Sequence, residues 1–539
     1  MQGLMQNWPL LCQRIIEHAA RQHGGRRIVT RTPEGPIEVT NYAQIHQVSL
    51  RISKRLAAEG IQYGDRVGTL AWSTARHLAC WYGIAGLGAV YHPINPRLFT
   101  EQIAYIINDA QDRILLVDTS FVPLLESMAD KILGVRRFVI LTDRAHMPVT
   151  TLRNAICFEE WLEDTDTRFD WPSFDENSAA ALTYTSGTTG EPKGVLYSHR
   201  SITLMSLTGA VPDMYAFSSH DVVLQTIPMS HANGWSWPFS APMTGAGLVF
   251  PGAKLDGASL LQLIQDERVT MSGGVPTIWQ TVLDHCAKAG VKLDRLQRVY
   301  VGGSACSRAM LEEFAKHGVE VRSGFGMTEM GPMSGVGSHL PETVNLPPEQ
   351  AMSISQSQGR PPFLVEYKLV DDAGKVLPWD GKSQGHLRAR GPCIAQAYYR
   401  QAPGSALDAE GFFDSGDIAT IDPLGYVRLT DRAKDLVKSG GEWISSIDLE
   451  NHAMSFPGVQ EAAVIGIAHP KWDERPLLLV VPKPGASIDK QAMLDFLSTR
   501  VAKWWLPDDI TTVDEIPHTA TGKISKAALR QRYASHYTP

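Results

Sequence analysis

Thr183-Tyr184-Thr185-Ser186-Gly187-Thr188-Thr189-Gly190-Glu191-Pro192-Lys193-Gly194 packs hydroxyls, glycines and one lysine into twelve residues. Backbone N–H groups, hydroxyl donors and a cation in so short a span suit the wrapping of a polyphosphate. The stretch is not a Walker A loop. That pattern, G-x-x-x-x-G-K-[ST], requires a glycine five residues after Gly187, where this chain has Pro192. A P-loop kinase reading therefore fails. A plain polar surface loop is the competing reading, and the density of hydroxyls and glycines counts against it.

Around this loop the pattern is α/β. Short apolar runs at residues 67–72 and 113–117 alternate with amphipathic stretches at 51–59 and 100–109. Residues 86–96 read as a tight helix-to-strand crossing ended by prolines, a structural feature and not a chemical one. The pattern repeats over 221–271, and a strand at 296–301 runs into Gly302-Gly303-Ser304, where open parallel sheets place ligand loops. A second such loop is expected after residues 319–322. Beyond Asp431 a charged segment, 431–438, precedes a compact stretch of about one hundred residues, the size of a small domain. The boundary falls near Lys434. No internal repeat of 20–50 residues is visible.

Length and composition agree. At 539 residues, with 43% hydrophobic and 20% charged residues, the chain exceeds one hydrophobic core and reads as a globular protein of two or more domains. A net charge of −7, without clustered Lys and Arg, speaks against a nucleic-acid partner. The six cysteines, Cys12, Cys80, Cys157, Cys286, Cys306 and Cys393, form no C-x-x-C pair and read as reduced thiols, not as a zinc, iron–sulfur or disulfide framework. No basic and apolar leader opens the chain, and no apolar run approaches the roughly 20 residues of a membrane span. A cytoplasmic protein is expected.

The phosphate loop is followed, in order, by Ser323-Gly324-Phe325-Gly326-Met327-Thr328-Glu329, Asp414-Ser415-Gly416-Asp417, Asp431-Arg432-Ala433-Lys434, Lys438-Ser439-Gly440-Gly441-Glu442-Trp443-Ile444 and Thr521-Gly522-Lys523. This series, spread over nearly the whole chain, resembles the acyl-CoA synthetase, luciferase and peptide-synthetase adenylation superfamily. The resemblance implies an α/β fold with a large N-terminal domain of stacked sheets and helices, residues 1–433, and a small mobile C-terminal α+β domain, residues 434–539. It implies a two-step reaction in which ATP activates a carboxylate as acyl-AMP and coenzyme A then takes the acyl group. ATP, Mg²⁺ and coenzyme A are the implied cofactor and co-substrates.

Residue by residue, the resemblance assigns the nucleotide to Thr185, Ser186, Gly187, Thr188, Thr189, Gly190 and Lys193 around the phosphates. It assigns adenine to Gly302, Gly303, Ser304 and Ala305 together with Ser323, Gly324, Phe325, Gly326 and Met327, and counts Thr328 among the ATP contacts. Phe325 stands where many relatives carry Tyr, and stacking needs only the ring face. Mg²⁺ falls to Thr185 and Glu329, a hard oxygen set suited to an ion bridging phosphates. Asp417 and Arg432 supply an acceptor and a donor for the ribose diol. In the bland reading Asp417 is a turn residue. Lys523 matches the lysine that reaches the acyl carboxylate and α-phosphate, where a fixed cation helps most. Lys434 matches the hinge between half-reactions. Ser439, Gly440, Gly441 and Trp443 match the loop that meets pantetheine, with core burial the competing reading for Trp443.

The acid is addressed by Pro228-Met229-Ser230-His231-Ala232-Asn233-Gly234-Trp235-Ser236-Trp237-Pro238, whose His-x-x-x-Trp form resembles fatty-acid ligases. The implied acyl site is His231, Trp235, Gly302, Gly303 and Met327, with His231 also a catalytic candidate. Two inward tryptophans, 235 and 237, would suit a short chain. No acid follows the aromatic loop, which disfavours an α-amino substrate. Sixteen residues follow Lys523, too few for a carrier module, so free coenzyme A is the expected acceptor. The likeness is greatest to medium-chain acyl-CoA ligases and 3-methylmercaptopropionate–CoA ligases. A long-chain ligase, a luciferase-like oxygenase and a non-catalytic nucleotide-binding protein are the rival readings. A homodimer is the expectation from oligomer symmetry.

Overall fold

The computed structural model describes residues 1, 3–185, 191–439, 442–518 and 524–537. Ser186, Gly187, Thr188, Thr189, Gly190, Gly440, Gly441 and Lys523, all expected at the site, lie outside the described residues.

Strands among the described residues form four sheets. A seven-stranded sheet is parallel from Ala155–Cys157 through Arg137–Ile140, Ile114–Val117, Arg66–Leu70 and Val90–Pro93 to Ala179–Tyr184. It closes with antiparallel Gly194–Ser198. An eight-stranded sheet has a parallel centre, Glu320–Met327, Arg298–Gly302, Met271–Gly274, Val222–Leu224, Gly247–Phe250 and Arg27–Arg31. Its antiparallel edges are Gly331–Val336 and Ile37–Asn41. A four-stranded antiparallel sheet follows, from Glu366–Val370 to Val427–Arg432. A five-stranded sheet is built wholly from residues after 436.

The two large sheets share one core. Tyr91, Leu116, Val139 and Ala181 of the first meet Ile28, Val223, Leu248 and Met271 of the second through helices packed between them. Helix Ala75–Gly86 is buried along its length from His77 onward, which is why its sequence is apolar on every face. It crosses helix Tyr42–Ala58 at close range. A Cβ on Gly83 would lie 2.7 Å from Ile52 Cγ2 and 2.9 Å from the Ser49 carbonyl oxygen. Ser49 Oγ and Ser53 Oγ use that proximity to donate to the carbonyls of Ala79 at 3.1 Å and Gly83 at 2.6 Å. Separate apolar layers cover the outer faces of the two sheets.

The α/β alternation expected from the sequence is present. The runs at 67–72 and 113–117 are strands Arg66–Leu70 and Ile114–Val117, and the amphipathic stretches lie in helices Tyr42–Ala58 and Thr100–Ala110. Two expectations need correction. Residues 323–327 are no loop: strand Glu320–Met327 runs through them, paired on both sides. Its glycines are where backbones approach, with Gly324 opposite Gly302. Asp417 is no turn residue either, since it lies inside strand Phe413–Ile421. The turn-like sequence there reflects one residue, Gly416 at φ +71°, which kinks the strand.

Candidate active site

The hairpin between strands Ala179–Tyr184 and Gly194–Ser198 carries the phosphate loop, and Thr185 N–H donates to the Lys193 carbonyl at 2.9 Å to close its base. Below it, Tyr184 donates to Asp109 at 2.5 Å, and Arg400 pairs with the same carboxylate at 3.1 Å. Lys193 is exposed, its Nζ 4.9 Å from the centroid of the Tyr398 ring. Across the cleft, Glu329 follows the end of strand Glu320–Met327 and is 8% exposed. Tyr398 Oη donates to Glu329 Oε1 at 2.9 Å. Tyr197, from the strand after the phosphate loop, donates to the Thr328 carbonyl, tying the two motifs together.

The parallel strands of the eight-stranded sheet end side by side at Leu224, Gly274, Gly302 and Met327. Ser323 and Phe325 are buried, Gly303 and Met327 half-buried, and Ser304 exposed. The Phe325 ring packs in a core with Tyr367, Leu369 and Phe413, leaving 9% of the residue exposed.

Residues 232–236 all have positive φ: Ala232 38°, Asn233 48°, Gly234 60°, Trp235 58° and Ser236 64°. Four of the five are not glycine, a strain of the kind that collects at functional sites. Gln225 holds this turn, donating from Nε2 to the Ile227 carbonyl at 2.7 Å and to the Gly234 carbonyl at 3.2 Å. The turn sets half-buried Trp235 against Gly302, where a Cβ would lie 2.8 Å from the indole Cη2. His231 and Trp235 line a cleft with Gly303, Val275, Ile278, Leu255 and Trp72. Met327 and Gly302 are not among its lining residues. The expectation of two inward tryptophans is corrected: Trp237 is fully buried, ringed edge-on by Tyr215, Phe217 and Tyr300. A left-handed residue between two tryptophans sends them to different surroundings.

Asp417 and Arg432 face each other across neighbouring strands, and Arg432 Nε pairs with Asp417 Oδ1 at 2.8 Å. The carboxylate side chain is 4% exposed and the guanidinium 38%. Lys434 follows in a turn closed by Asp435 N–H and Leu436 N–H on the Arg432 carbonyl, at 2.8 and 2.9 Å. Burial lowers its ammonium pKa. Ser439 is buried and accepts from Arg475 at 3.0 Å, while half-buried Trp443 lies edge-on to His386, centroids 6.5 Å apart. The core reading of Trp443 therefore fails. The segment around Lys523 is flanked by a bridge between His518 and Ile524. Beyond it, Lys526 pairs with Glu450 at 2.8 Å.

The pattern of the AMP-binding enzyme family matches residues 16–399, and that of the AMP-binding enzyme C-terminal domain matches residues 448–523. The chain belongs to the AMP-binding enzymes. It is 45% identical to a 3-methylmercaptopropionyl-CoA ligase of Ruegeria lacuscaerulensis over the full length of both chains. It is 43% identical to a medium-chain-fatty-acid–CoA ligase of Ectopseudomonas oleovorans, covering 99% of this chain and 98% of that one. An anthranilate–CoA ligase solved with anthranoyl-AMP superposes with a TM-score of 0.86 at 25% identity, covering 98% of this chain and 99% of that one.

This AMP-binding enzyme is an acid–CoA ligase: it joins a carboxylic acid to coenzyme A at the expense of ATP, which leaves as AMP and pyrophosphate. Its nucleotide is ATP, its ion Mg²⁺ and its acceptor coenzyme A. The donor set fits the ion. Glu329 is a buried carboxylate with no cation in ion-pair contact among the described residues, the state in which a hard divalent ion is the natural counter-charge. No helix among the described residues is long and apolar enough to cross a membrane. The sequence reading missed Gln225, Trp72, Val275 and Tyr398. Their signal was weak, because none lies in a short polar motif.

Proposed function

We propose that the enzyme activates a short- or medium-chain monocarboxylic acid, 3-methylmercaptopropionate among them, in the cleft beside Trp235. The observation that carries this reading is the lining, which among the described residues contains no Asp or Glu to hold a substrate ammonium and sets Trp, Ile, Leu, Val and Pro side chains beside the polar Asn95, Arg97, Gln225 and His231. A relative named for 3-methylmercaptopropionate and one named for medium-chain acids, at 45% and 43% identity, support the same class. A long-chain acid is the second reading, supported by a long-chain-fatty-acid–CoA ligase of Thermus thermophilus at 42% identity.

In the first half-reaction the donors of the phosphate loop, with Lys193, hold the polyphosphate, and Asp417 accepts from the ribose while Arg432 holds its carboxylate in place. Bound Mg²⁺, held through Thr185 and Glu329, supplies charge neutralisation on the phosphates. Lys523 meets the charge that gathers as the carboxylate attacks the α-phosphate. Residues 1–433 and 434–539 then act as two bodies, turning about Lys434 to bring Ser439 and Trp443 toward pantetheine. The sheet after residue 436 has its own two apolar cores, which supports an independent small domain.

A cytoplasmic homodimer fits the molecule. All six cysteines are buried and unpaired, as a reducing compartment allows. The edge strand Ile37–Asn41 exposes Ile37 and Val39, as a self-association surface would. Light scattering on the purified protein tests the dimer. The substrate is tested by pyrophosphate release over propionate, butyrate, hexanoate, octanoate, methylthiopropionate and benzoate, with and without coenzyme A. Turnover highest on the unbranched acids or methylthiopropionate supports the proposal, and a preference for benzoate overturns it.

A further inference from the structure

Tyr398 touches the two charged groups of the nucleotide site at once. Its hydroxyl donates to Glu329 Oε1 at 2.9 Å, and its ring lies 4.9 Å under Lys193 Nζ. The backbone around it is fastened to the same two motifs. Ala395 N–H donates to the Glu329 carbonyl at 2.7 Å, and Tyr399 N–H donates to the Gly194 carbonyl at 2.7 Å. Gly194 permits this approach, since a Cβ there would sit 3.0 Å from Tyr399 Cβ. Segment 395–399 is thus a strap between the phosphate loop and Glu329.

Opposite charges placed this near each other would ordinarily close into an ion pair. Here neither Lys193 nor Glu329 has an ion-pair partner among the described residues. An aromatic ring explains how both remain available. The ammonium meets the negative face of the ring, and the carboxylate meets the phenolic donor at its edge. Glu329 Oε2 accepts no hydrogen bond among the described residues, so one oxygen is engaged and the other is left for an ion.

We infer that Tyr398 is a positioning residue of the ligase: a spacer that keeps Lys193 free for phosphate and holds Glu329 with one oxygen turned to the metal ion. The inference rests on the proposed role of Glu329 as a magnesium ligand. Without the spacer, Lys193 and Glu329 would neutralise each other, and both ATP and Mg²⁺ would bind less well.

The test is ATP binding to the whole enzyme by titration calorimetry across a series of Mg²⁺ concentrations, without acid or coenzyme A. Wild type is compared with Tyr398→Phe, Tyr398→Leu and Glu329→Gln. Tyr398→Phe keeps the ring and loses the hydroxyl. Its ATP affinity without Mg²⁺ should stay at the wild-type value, while the Mg²⁺ concentration that half-restores tight binding should rise about tenfold, as for loss of a hydrogen bond to a charged group. Tyr398→Leu also loses the ring face, so its ATP affinity should fall several-fold even without Mg²⁺. A merely structural tyrosine would lower the melting temperature without separating these two readouts. If Glu329→Gln shifts the magnesium requirement and Tyr398→Phe does not, the positioning role is overturned. If neither shifts it, the assignment of Glu329 to the metal falls, and the inference with it. Should Tyr398→Leu fail to fold, the Phe variant carries the decision.

Discussion

The proposed nucleotide side of the cleft and its proposed acyl side are assembled differently. Lys193, Glu329, Asp417 and Arg432 each sit within a short polar motif and have named partners: the Tyr398 ring, the Tyr398 hydroxyl, and each other. The acyl cleft draws its walls from six separated segments, from Ala71–Ser73 to Gly303, and half of them carry no polar side chain. Phosphate and ribose need directional donors and acceptors, which a contiguous loop or paired strands supply. An alkyl chain needs only dry surface of the right shape, and side chains from anywhere in the fold can provide it. A protein that activates many acids with one nucleotide can therefore vary the second wall while keeping the first.

The sharpest break of this comparison is Lys523→Ala. Acyl-AMP formation should fall by roughly 10²–10³, as for a single preorganised electrostatic donor. Conversion of supplied acyl-AMP and coenzyme A to thioester should survive if, as proposed, the small domain turns away for that step. Single-turnover assays of each half-reaction check it, and equal slowing of both would sink the two-pose mechanism. Lys434→Pro at the hinge should favour the opposite loss.

The two tryptophans give the next contrast. Trp237→Ala removes a fully buried ring and should cost about 3–5 kcal/mol of stability. It should leave the chain-length profile of whatever protein remains folded unchanged, as denaturant unfolding and the acid panel would show. Trp235→Ala should do the reverse. The melt should change little, longer acids should gain and short ones weaken, with discrimination shifting by about 1–3 kcal/mol. An unchanged profile would remove Trp235 from the wall of the acyl site.

The smallest expected effect is Gly302→Ala. The new methyl would meet the Trp235 indole and push it toward the cleft, so the preference should move modestly toward shorter acids, opposite in sign to Trp235→Ala. The same panel of acids measures it, and a shift toward longer acids would mean that the indole yields in the other direction.

What the sequence determined by itself is the chemistry and the order of its parts. The hydroxyl-rich loop, Glu329, Asp417 and Arg432 could be proposed as nucleotide contacts because backbone donors and charged side chains for phosphate and sugar come in short spans. The α/β alternation could be read because periodicity survives in the elements that bury one face. Tertiary structure decided what depends on pairing and reach. Residues 323–327 look like a glycine-rich loop, yet two neighbouring strands hold them extended. Trp235 and Trp237 look alike in sequence, yet a left-handed turn sends one to the cleft and the other to the core. Tyr398 carries no motif at all and gains its place because the fold brings residues 193, 329 and 398 together from distant parts of the chain. Local pattern encodes directional chemistry, while apolar walls and spacers between charges exist only once the chain has packed.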